Sequence, residues 1–236
     1  DSIGASSGTF SLVVDTVVPS APTLTVTTPT NDTTPSIGGT AEADATVSIY
    51  SGGTLLGQAT ASSGGVFSFV PSSALSDGTY SLSATATDAA GNTSAAGSAV
   101  SLVVDTAEPS APTVAVTSPT NDNTPAITGT AEASSTVELY AAGHALGQVA
   151  VDGNGSYSFT PGTALADASY SVTATATDGA GNTSTASSGV TVLVDTTVPT
   201  APTLSGTSPA NTSTPPLTRP AEAPAPVHVY DGATSR

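Results

Sequence analysis

An all-β fold of small sandwiches in tandem is predicted by the composition of the chain and by an internal repeat. The apolar residues are mostly Val, Ala, Leu and Ile, set among many Thr, Ser, Gly and Pro, which is typical of short strands separated by turns. The string L-V-V-D ends at Asp15 and again at Asp105, and V-L-V-D ends at Asp195, so the period is 90 residues. This periodicity argues against a disordered Ser/Thr/Gly/Pro linker.

The repeat divides the chain into four segments. Residues 16–105 and 106–195 are two whole repeats, which align without a gap and are identical at about 51 of 90 positions. Residues 1–15 are the final strand of a preceding repeat, and residues 196–236 are the truncated, divergent start of a further one. In that last segment Arg219 stands where the second repeat has Gly129, and added prolines remove backbone donors. Since both end segments lack the rest of their sandwich, we expect them to be irregular.

Seven strands, A to G, are predicted in each whole repeat from alternating apolar residues. Such short strands with turns at short intervals predict tandem Ig-like seven-stranded β-sandwiches in an elongated array. The prolines flanking strand A predict that it lies at a sheet edge. In the first repeat the predicted strands are 24–27, 36–40, 46–50, 55–61, 66–70, 80–87 and 99–104.

Glycine pairs and aromatic residues give finer predictions for the first repeat. Gly52-Gly53 and Gly64-Gly65 are read as hairpin turns. The large residues are predicted to lie in the core rather than on a binding surface, and they are Tyr50, Phe67, Phe69 and Tyr80.

The charge of the chain excludes several kinds of partner. There are 18 acidic residues against two basic ones, Arg219 and Arg236, so residues 1–218 offer no Lys or Arg to nucleic-acid phosphates or anionic lipids. No apolar run has the length of a membrane span, so direct membrane insertion is not expected. Cysteine is absent, which excludes disulfides and thiolate metal sites. The start at Asp1 is read as a piece of a larger protein.

Acidic residues are predicted to converge where one repeat meets the next. In a seven-strand sandwich the B–C and F–G loops lie at the end where strand A enters, which we call the entry pole. This places Glu42 and Asp88 near the incoming linker residue Asp15. The second junction gives the equivalent set Asp105, Glu132 and Asp178. Asn92 and Asn182 lie nearby, whereas the acids of the opposite, exit pole are read as turn residues: Asp32, Asp77, Asp122 and Asp167.

Carboxylates this close are expected to repel one another, which would raise their pKa values or open the junction. Structural Ca²⁺ would resolve the repulsion, because it takes six to eight oxygen ligands that loop carbonyls and water can complete. The alternative is that the loop acids only form turns. With calcium the array would be a stiff rod, and without it a flexible string.

Three motifs carry a family resemblance. V-D-T-x-x-P-x-A-P-T at the junctions, G-T-A-E near strand B and A-T-D-x-A-G-N-T-S at the F–G turn resemble the bacterial Ig-like repeats of large secreted or surface adhesins, of the biofilm-associated and type I secreted kind. The resemblance implies extracellular extender repeats with calcium between adjacent repeats. It implicates the acids of the two junctions above, and at the last junction only Asp195 and Glu222, where the Arg219 and proline changes weaken the match.

Catalysis is not expected. His144 and His228 occupy non-equivalent positions, and there is neither a G-x-S-x-G elbow nor a Lys for a phosphate-binding loop. The function predicted is that of adhesin spacer repeats that support adhesion or biofilm formation. A carbohydrate-binding accessory module of a secreted enzyme ranks second, because aromatic residues make up only 4% of the chain. A homotypic cell–cell adhesion array is a further variant, and the sequence does not specify the adhesin's ligand.

Overall fold

Two β-sandwiches follow each other along the chain. The computed structural model describes residues 12–203, Ser205, and the backbone of Tyr230–Asp231 and Thr234–Ser235. The first sandwich contains β1 (Thr23–Thr25), β2 (Ile37–Thr40), β3 (Thr46–Ser51), β4 (Thr54–Thr60), β5 (Val66–Phe69), β6 (Gly78–Thr87) and β7 (Val100–Val104). The second contains β8 (Ala115–Val116), β9 (Ile127–Thr130), β10 (Thr136–Ala141), β11 (His144–Ala150), β12 (Ser156–Phe159), β13 (Ala168–Thr177) and β14 (Val190–Val194).

Each sandwich packs a three-stranded sheet on a four-stranded one. The strand orders are β1-β2-β5 and β4-β3-β6-β7, and the second sandwich repeats them as β8-β9-β12 and β11-β10-β13-β14, with all these pairs antiparallel. The all-β, Ig-like prediction is therefore confirmed, and the seven strands lie within two residues of the predicted ranges. Strand β1 is an edge strand, as its flanking prolines predict.

The two glycine pairs of the first repeat serve different turns. Gly52-Gly53 closes a hairpin in which Ser51 pairs with Thr54, as predicted. The hairpin predicted at Gly64-Gly65 is wrong, because β4 pairs with β3 whereas β5 pairs with β2. The chain there crosses from one sheet to the other, in a turn held by the bond from Ser62 N to Val66 O (2.8 Å). Turn residues mark the reversal in both cases, but they do not say which sheet the next strand joins.

The core lies between the two sheets, on the apolar face of each strand. Val47, Ile49 and Leu82 are fully buried, and Phe67 and Phe69 pack with them as predicted. The prediction for Tyr50 is wrong, since strand alternation turns it to the face opposite Ile49, where it is half-buried. The second repeat builds the same core from Ile127, Val137, Leu139, Val172, Val192 and Val194.

Two features fix each sandwich at its edge and corner. Gly39 leaves room for the Phe67 ring, because a Cβ there would overlap both that ring and the carbonyl oxygen of Thr23. Tyr80 packs against the core, and its hydroxyl donates to Ser76 O (2.7 Å) in the loop before β6. Tyr170 makes the equivalent bond to Ala166 O (3.0 Å). A tyrosine at this corner is a recurrent feature of Ig-like sandwiches.

The described residues of the last segment include a short hairpin. Tyr230–Asp231 (β15) pairs with Thr234–Ser235 (β16) in an antiparallel hairpin. Two periods earlier, Tyr50 pairs with Leu55 and Ser51 with Thr54, so the hairpin keeps the register of the β3–β4 turn. Of the end segments that are predicted to be irregular, residues 1–11 and 206–229 fall outside the described residues. The described part of the chain contains no helix with the length and apolarity that crossing a membrane requires.

Candidate functional site: the junction between repeats

The loops of each sandwich gather at two opposite ends, as predicted. At the entry pole, the loops after β2 and β4 are joined by bonds from Ala41 N to Gly65 O and from Ala61 N to Ala45 O, both 2.9 Å. At the exit pole, Leu75 N donates to Thr33 O (2.8 Å), which joins the loops before β2 and β6. The junction acids therefore lie on loops that the sandwich holds in place.

At the first junction the three predicted acids line one cleft. Asp15, Glu42 and Asp88, together with Asp44, border a space of about 500 Å³. The Asn92 side chain lies between the linker and the loop, since its Nδ2 donates to the backbone oxygen of Asp15 (3.1 Å) and to Asp88 Oδ2 (2.8 Å). The amide thus bridges the incoming linker and the β6–β7 turn.

The second junction repeats the bridge in a more buried form. Asn182 Nδ2 donates to Asp105 O and to Asp178 Oδ2, both at 2.8 Å, and the Asn182 side chain is only 7% exposed. Glu132 is exposed and borders another cleft, with Ser110 and Thr130. Where the first repeat has Asp44, the second has Ser134. Linker and β13–β14 turn therefore meet as predicted, through an amide that is bonded to both.

The carboxylates of Asp88 and Asp178 are stabilised as anions, contrary to the expected rise in their pKa values. The pKa of Asp88 is lowered, first by the hydrogen bond from the Asn92 side chain and then by backbone N–H groups of residues 90–92. Burial by itself would raise the pKa of Asp178, but the bonds from the Asn182 side chain and from the N–H groups of residues 180–182 outweigh it and lower that pKa. Asp178 Oδ1 accepts those three N–H groups at 2.8–2.9 Å. The expectation of raised pKa values is wrong for these two acids, because amides surround them.

The predicted metal ligands do not form a complete ligand set as they stand. In the part of the chain that is described, no three acidic or histidine side chains are grouped closely enough to hold a metal ion. Asp195 is exposed, and its Oδ1 accepts Thr197 N (3.0 Å), whereas Glu222 lies outside the described residues. Calcium binding at the junctions therefore stays a prediction.

The exit-pole acids Asp77 and Asp167 hold the linkers, a role that the sequence analysis missed. Asp77 Oδ1 accepts Thr106 N (3.1 Å) and Thr106 Oγ1 (2.9 Å), which fixes the first linker residue. Asp167 does the same for Thr196, at 3.0 and 2.8 Å, and these bonds lower the pKa of Asp167. The only signal was that an Asp and a Thr 29 residues later recur in both repeats.

The exit pole of the first repeat also contacts the entry pole of the second directly. Asn31 N, in the β1–β2 loop, donates to Ala180 O (3.1 Å), in the β13–β14 turn. Next to it, a Cβ on Gly181 would lie 3.6 Å from the Asn31 side chain, and one on Gly179 would lie 3.6 Å from Pro29. The two sandwiches are thus joined end to end by loop contacts as well as by the linker.

Comparison with known proteins places these repeats in a sequence family. The profile of the bacterial Ig-like domain matches residues 24–106 and 115–196, which confirms the resemblance seen in the sequence. A search of curated proteins finds no match.

Several solved structures are similar to the chain. A tetra-tandem repeat from the extending region of a large adhesion protein is 26% identical, with 79% of this chain and 52% of that one covered and a TM-score of 0.35. The BSP domain of a biofilm associated protein is 25% identical, with 75% and 30% covered and a TM-score of 0.31. The human OSCAR ligand-binding domain is 14% identical, with 75% and 100% covered and a TM-score of 0.38. The chain thus spans about half the length of the first structure and less of the second. With TM-scores this low, the family assignment rests on the two matched repeats.

Proposed function

Since the chain belongs to the bacterial Ig-like domain family, we propose that it is a stretch of non-catalytic extender repeats of a bacterial cell-surface adhesin. In this function the repeats lie outside the cell and hold a distant ligand-binding part away from the surface, which supports adhesion or biofilm formation. The observation that carries the proposal is the direct contact between the exit pole of one repeat and the entry pole of the next.

A spacer needs repeats that are stable alone and joined in a defined way. Each sandwich has its own closed core, so each is a complete unit of the array. The linker begins at Thr106, held by Asp77, and continues through Pro109 and Pro112, which are both buried. Few residues with free backbone dihedral angles remain between the two sandwiches, and the prolines restrict the linker further. This arrangement favours a fixed spacing over a loose tether.

No described feature favours the carbohydrate-binding alternative. Sugar recognition uses exposed aromatic faces, but none of the described residues that line the cleft at the first junction is aromatic, and Phe67, Phe69 and Tyr157 are buried. His144 is exposed at the start of β11 and has no described role.

Calcium at the junctions is the finer part of the proposal. At the first junction the carboxylates of Asp15, Glu42 and Asp88 would supply its ligands, and at the second those of Asp105, Glu132 and Asp178. Since these carboxylates do not form a closed set, binding would require the loops to move together. Ca²⁺ at about ten times its Kd would add about 1.4 kcal/mol per site to the free energy of unfolding.

Thermal unfolding and small-angle scattering of the full chain, in EGTA and then in millimolar Ca²⁺, test both parts of the proposal. The spacer requires an elongated scattering profile, and a compact profile in both conditions would contradict it. The calcium part requires a higher melting temperature with Ca²⁺, reduced in Asp105→Asn and retained in Glu138→Gln. These two substitutions remove the same charge, but Glu138 lies mid-strand in β10, whereas Asp105 ends the first repeat. An unchanged melting temperature would refute the calcium part and leave the spacer.

A further inference from the structure

The side chain of Asn182 crosses the boundary between the two repeats. A primary amide has two N–H donors, and both are used here: one donates to the backbone oxygen of Asp105 and the other to Asp178 Oδ2, each at 2.8 Å. Asp105 follows the last strand of the first repeat, whereas Asp178 belongs to the β13–β14 turn of the second. A residue that only shaped its own turn would need the Asp178 bond alone. We call this pair of bonds the junction clasp.

Both ends of the clasp are anchored in their own sandwich. Asp105 N donates to Thr30 O (3.0 Å), which ties the end of the first repeat to its β1–β2 loop. Asp178 Oδ1 accepts three backbone N–H groups of its turn, so the carboxylate is fixed as well. A second attachment reaches the same β13–β14 turn from the first repeat, because Asn31 N in the β1–β2 loop donates to Ala180 O. Two adjacent attachments limit rotation more than one does, because a single bond still allows swivelling about its axis.

Burial gives the clasp its strength. Asn182 is 7% exposed, so water has little access to compete for its bonds, and a lost partner would leave a buried donor without compensation. The equivalent Asn92 makes the same two kinds of bond, to Asp15 O (3.1 Å) and Asp88 Oδ2 (2.8 Å). The same pair of bonds is therefore found at the start of both whole repeats, at the β6–β7 turn of the first and the β13–β14 turn of the second.

We propose that Asn182 is a junction-positioning residue: it holds the two repeats in one relative orientation without a bound cation. The inference rests on the proposed spacer function and specifies how its joint is fixed. Calcium would then strengthen a junction whose direction is already set by protein contacts.

The test measures the distribution of distances between two spin labels, one in each repeat, in the presence of EGTA. The chain has no cysteine, so Ser101→Cys and Thr191→Cys, at exposed and equivalent positions, provide specific labelling sites in the full chain. We expect a narrow distribution for the otherwise unchanged chain and one about twice as broad for Asn182→Ser, since unconstrained neighbouring domains move relative to each other by default. Asn92→Ser is the matched control: it alters the same turn in the first repeat, but its linker contact lies before the labelled pair, so the distribution should stay narrow.

An Asn182→Ser distribution as narrow as that of Asn92→Ser would overturn the proposal. If circular dichroism shows that Asn182→Ser unfolds the second repeat, the unsubstituted chain decides the question by NMR. A scalar coupling across the bond from Asn182 Nδ2 to the Asp105 carbonyl in EGTA would support the clasp, and its absence would overturn it. If the unsubstituted chain gives a broad distance distribution in EGTA and a narrow one with calcium, the clasp is refuted but the spacer function is not. A broad distribution in both conditions would refute the rigid spacer as well.

Discussion

The turn between β10 and β11 is strained at one residue, and the equivalent turn of the first repeat provides a control without that strain. Ala142 and Gly143 close this hairpin with φ values of 49° and 81°, and Gly52 and Gly53 close the equivalent hairpin with 52° and 88°. Positive φ at both central residues is the geometry of a type I′ turn. The second repeat therefore holds an alanine where the first has the residue suited to that conformation.

Ala142→Gly is expected to stabilise the second repeat by about 0.5–1 kcal/mol. A left-handed conformation costs an L-residue about 1–2 kcal/mol, from which the extra freedom of glycine in the unfolded chain subtracts about 0.5–1 kcal/mol. Packing does not interfere, because a Cβ at Gly52 would meet no atom within 4 Å. The turn bond is also matched, with Ala142 N to Ser171 O at 3.0 Å and Gly52 N to Ser81 O at 3.1 Å.

Amide hydrogen exchange at increasing urea concentrations measures the free energy of unfolding of each repeat separately. The amide of Leu139 reports on the second core and that of Ile49 on the first. A gain of this size corresponds to about 2–8 °C in the Tm of a domain of this length. The reciprocal control, Gly52→Ala, should destabilise the first repeat by a similar amount and leave Leu139 unchanged. A neutral or destabilising Ala142→Gly would refute the strain argument.

Two further predictions concern hydrogen-bonded polar groups of the second repeat. Tyr157→Phe should lower the free energy of unfolding of the second repeat by about 0.5–1.5 kcal/mol in urea titrations, because the Tyr157 hydroxyl donates to Thr113 O (2.6 Å). Phe67 fills the equivalent site of the first repeat, so a complete loss of folding would contradict this account. The pKa of Asp178 is lowered on folding, so its contribution to stability is present above the unfolded value of about 3.9 and is lost as the pH falls through the folded one. Urea midpoints between pH 7 and pH 2 should therefore fall less steeply in Asp178→Asn, and an unchanged slope would argue against the bonds to Asn182.

The sequence analysis located the junction but misjudged the electrostatics there. It placed Asp15, Glu42 and Asp88 at one pole, and these three line one cleft. It treated Asn92 as a bystander and expected the acids to repel, whereas the amide supplies the donors that lower the pKa of Asp88. Charge counting finds acids and cations, but it does not show that an uncharged amide will be aimed at a carboxylate.

The role of Asp77 was missed for a related reason. In the sequence it is one of several acids beside a turn, a position where Asp usually caps its own loop. Its partner Thr106 is 29 residues away and reaches it only because β6 and β7 pair and bring the end of the repeat back to that loop. No local pattern contains that contact.

The sequence by itself determined the period, the strands and the turns that end them, because alternation and turn chemistry act between residues a few positions apart. It also determined which face of most strands is buried, since the side-chain period of a strand is two. Only the tertiary structure decided that Gly64-Gly65 is a crossing between sheets, and that Asn182 joins one repeat to the next. Those outcomes depend on atoms far apart in the chain, and it is the packing of the two sheets that fixes the distances between them.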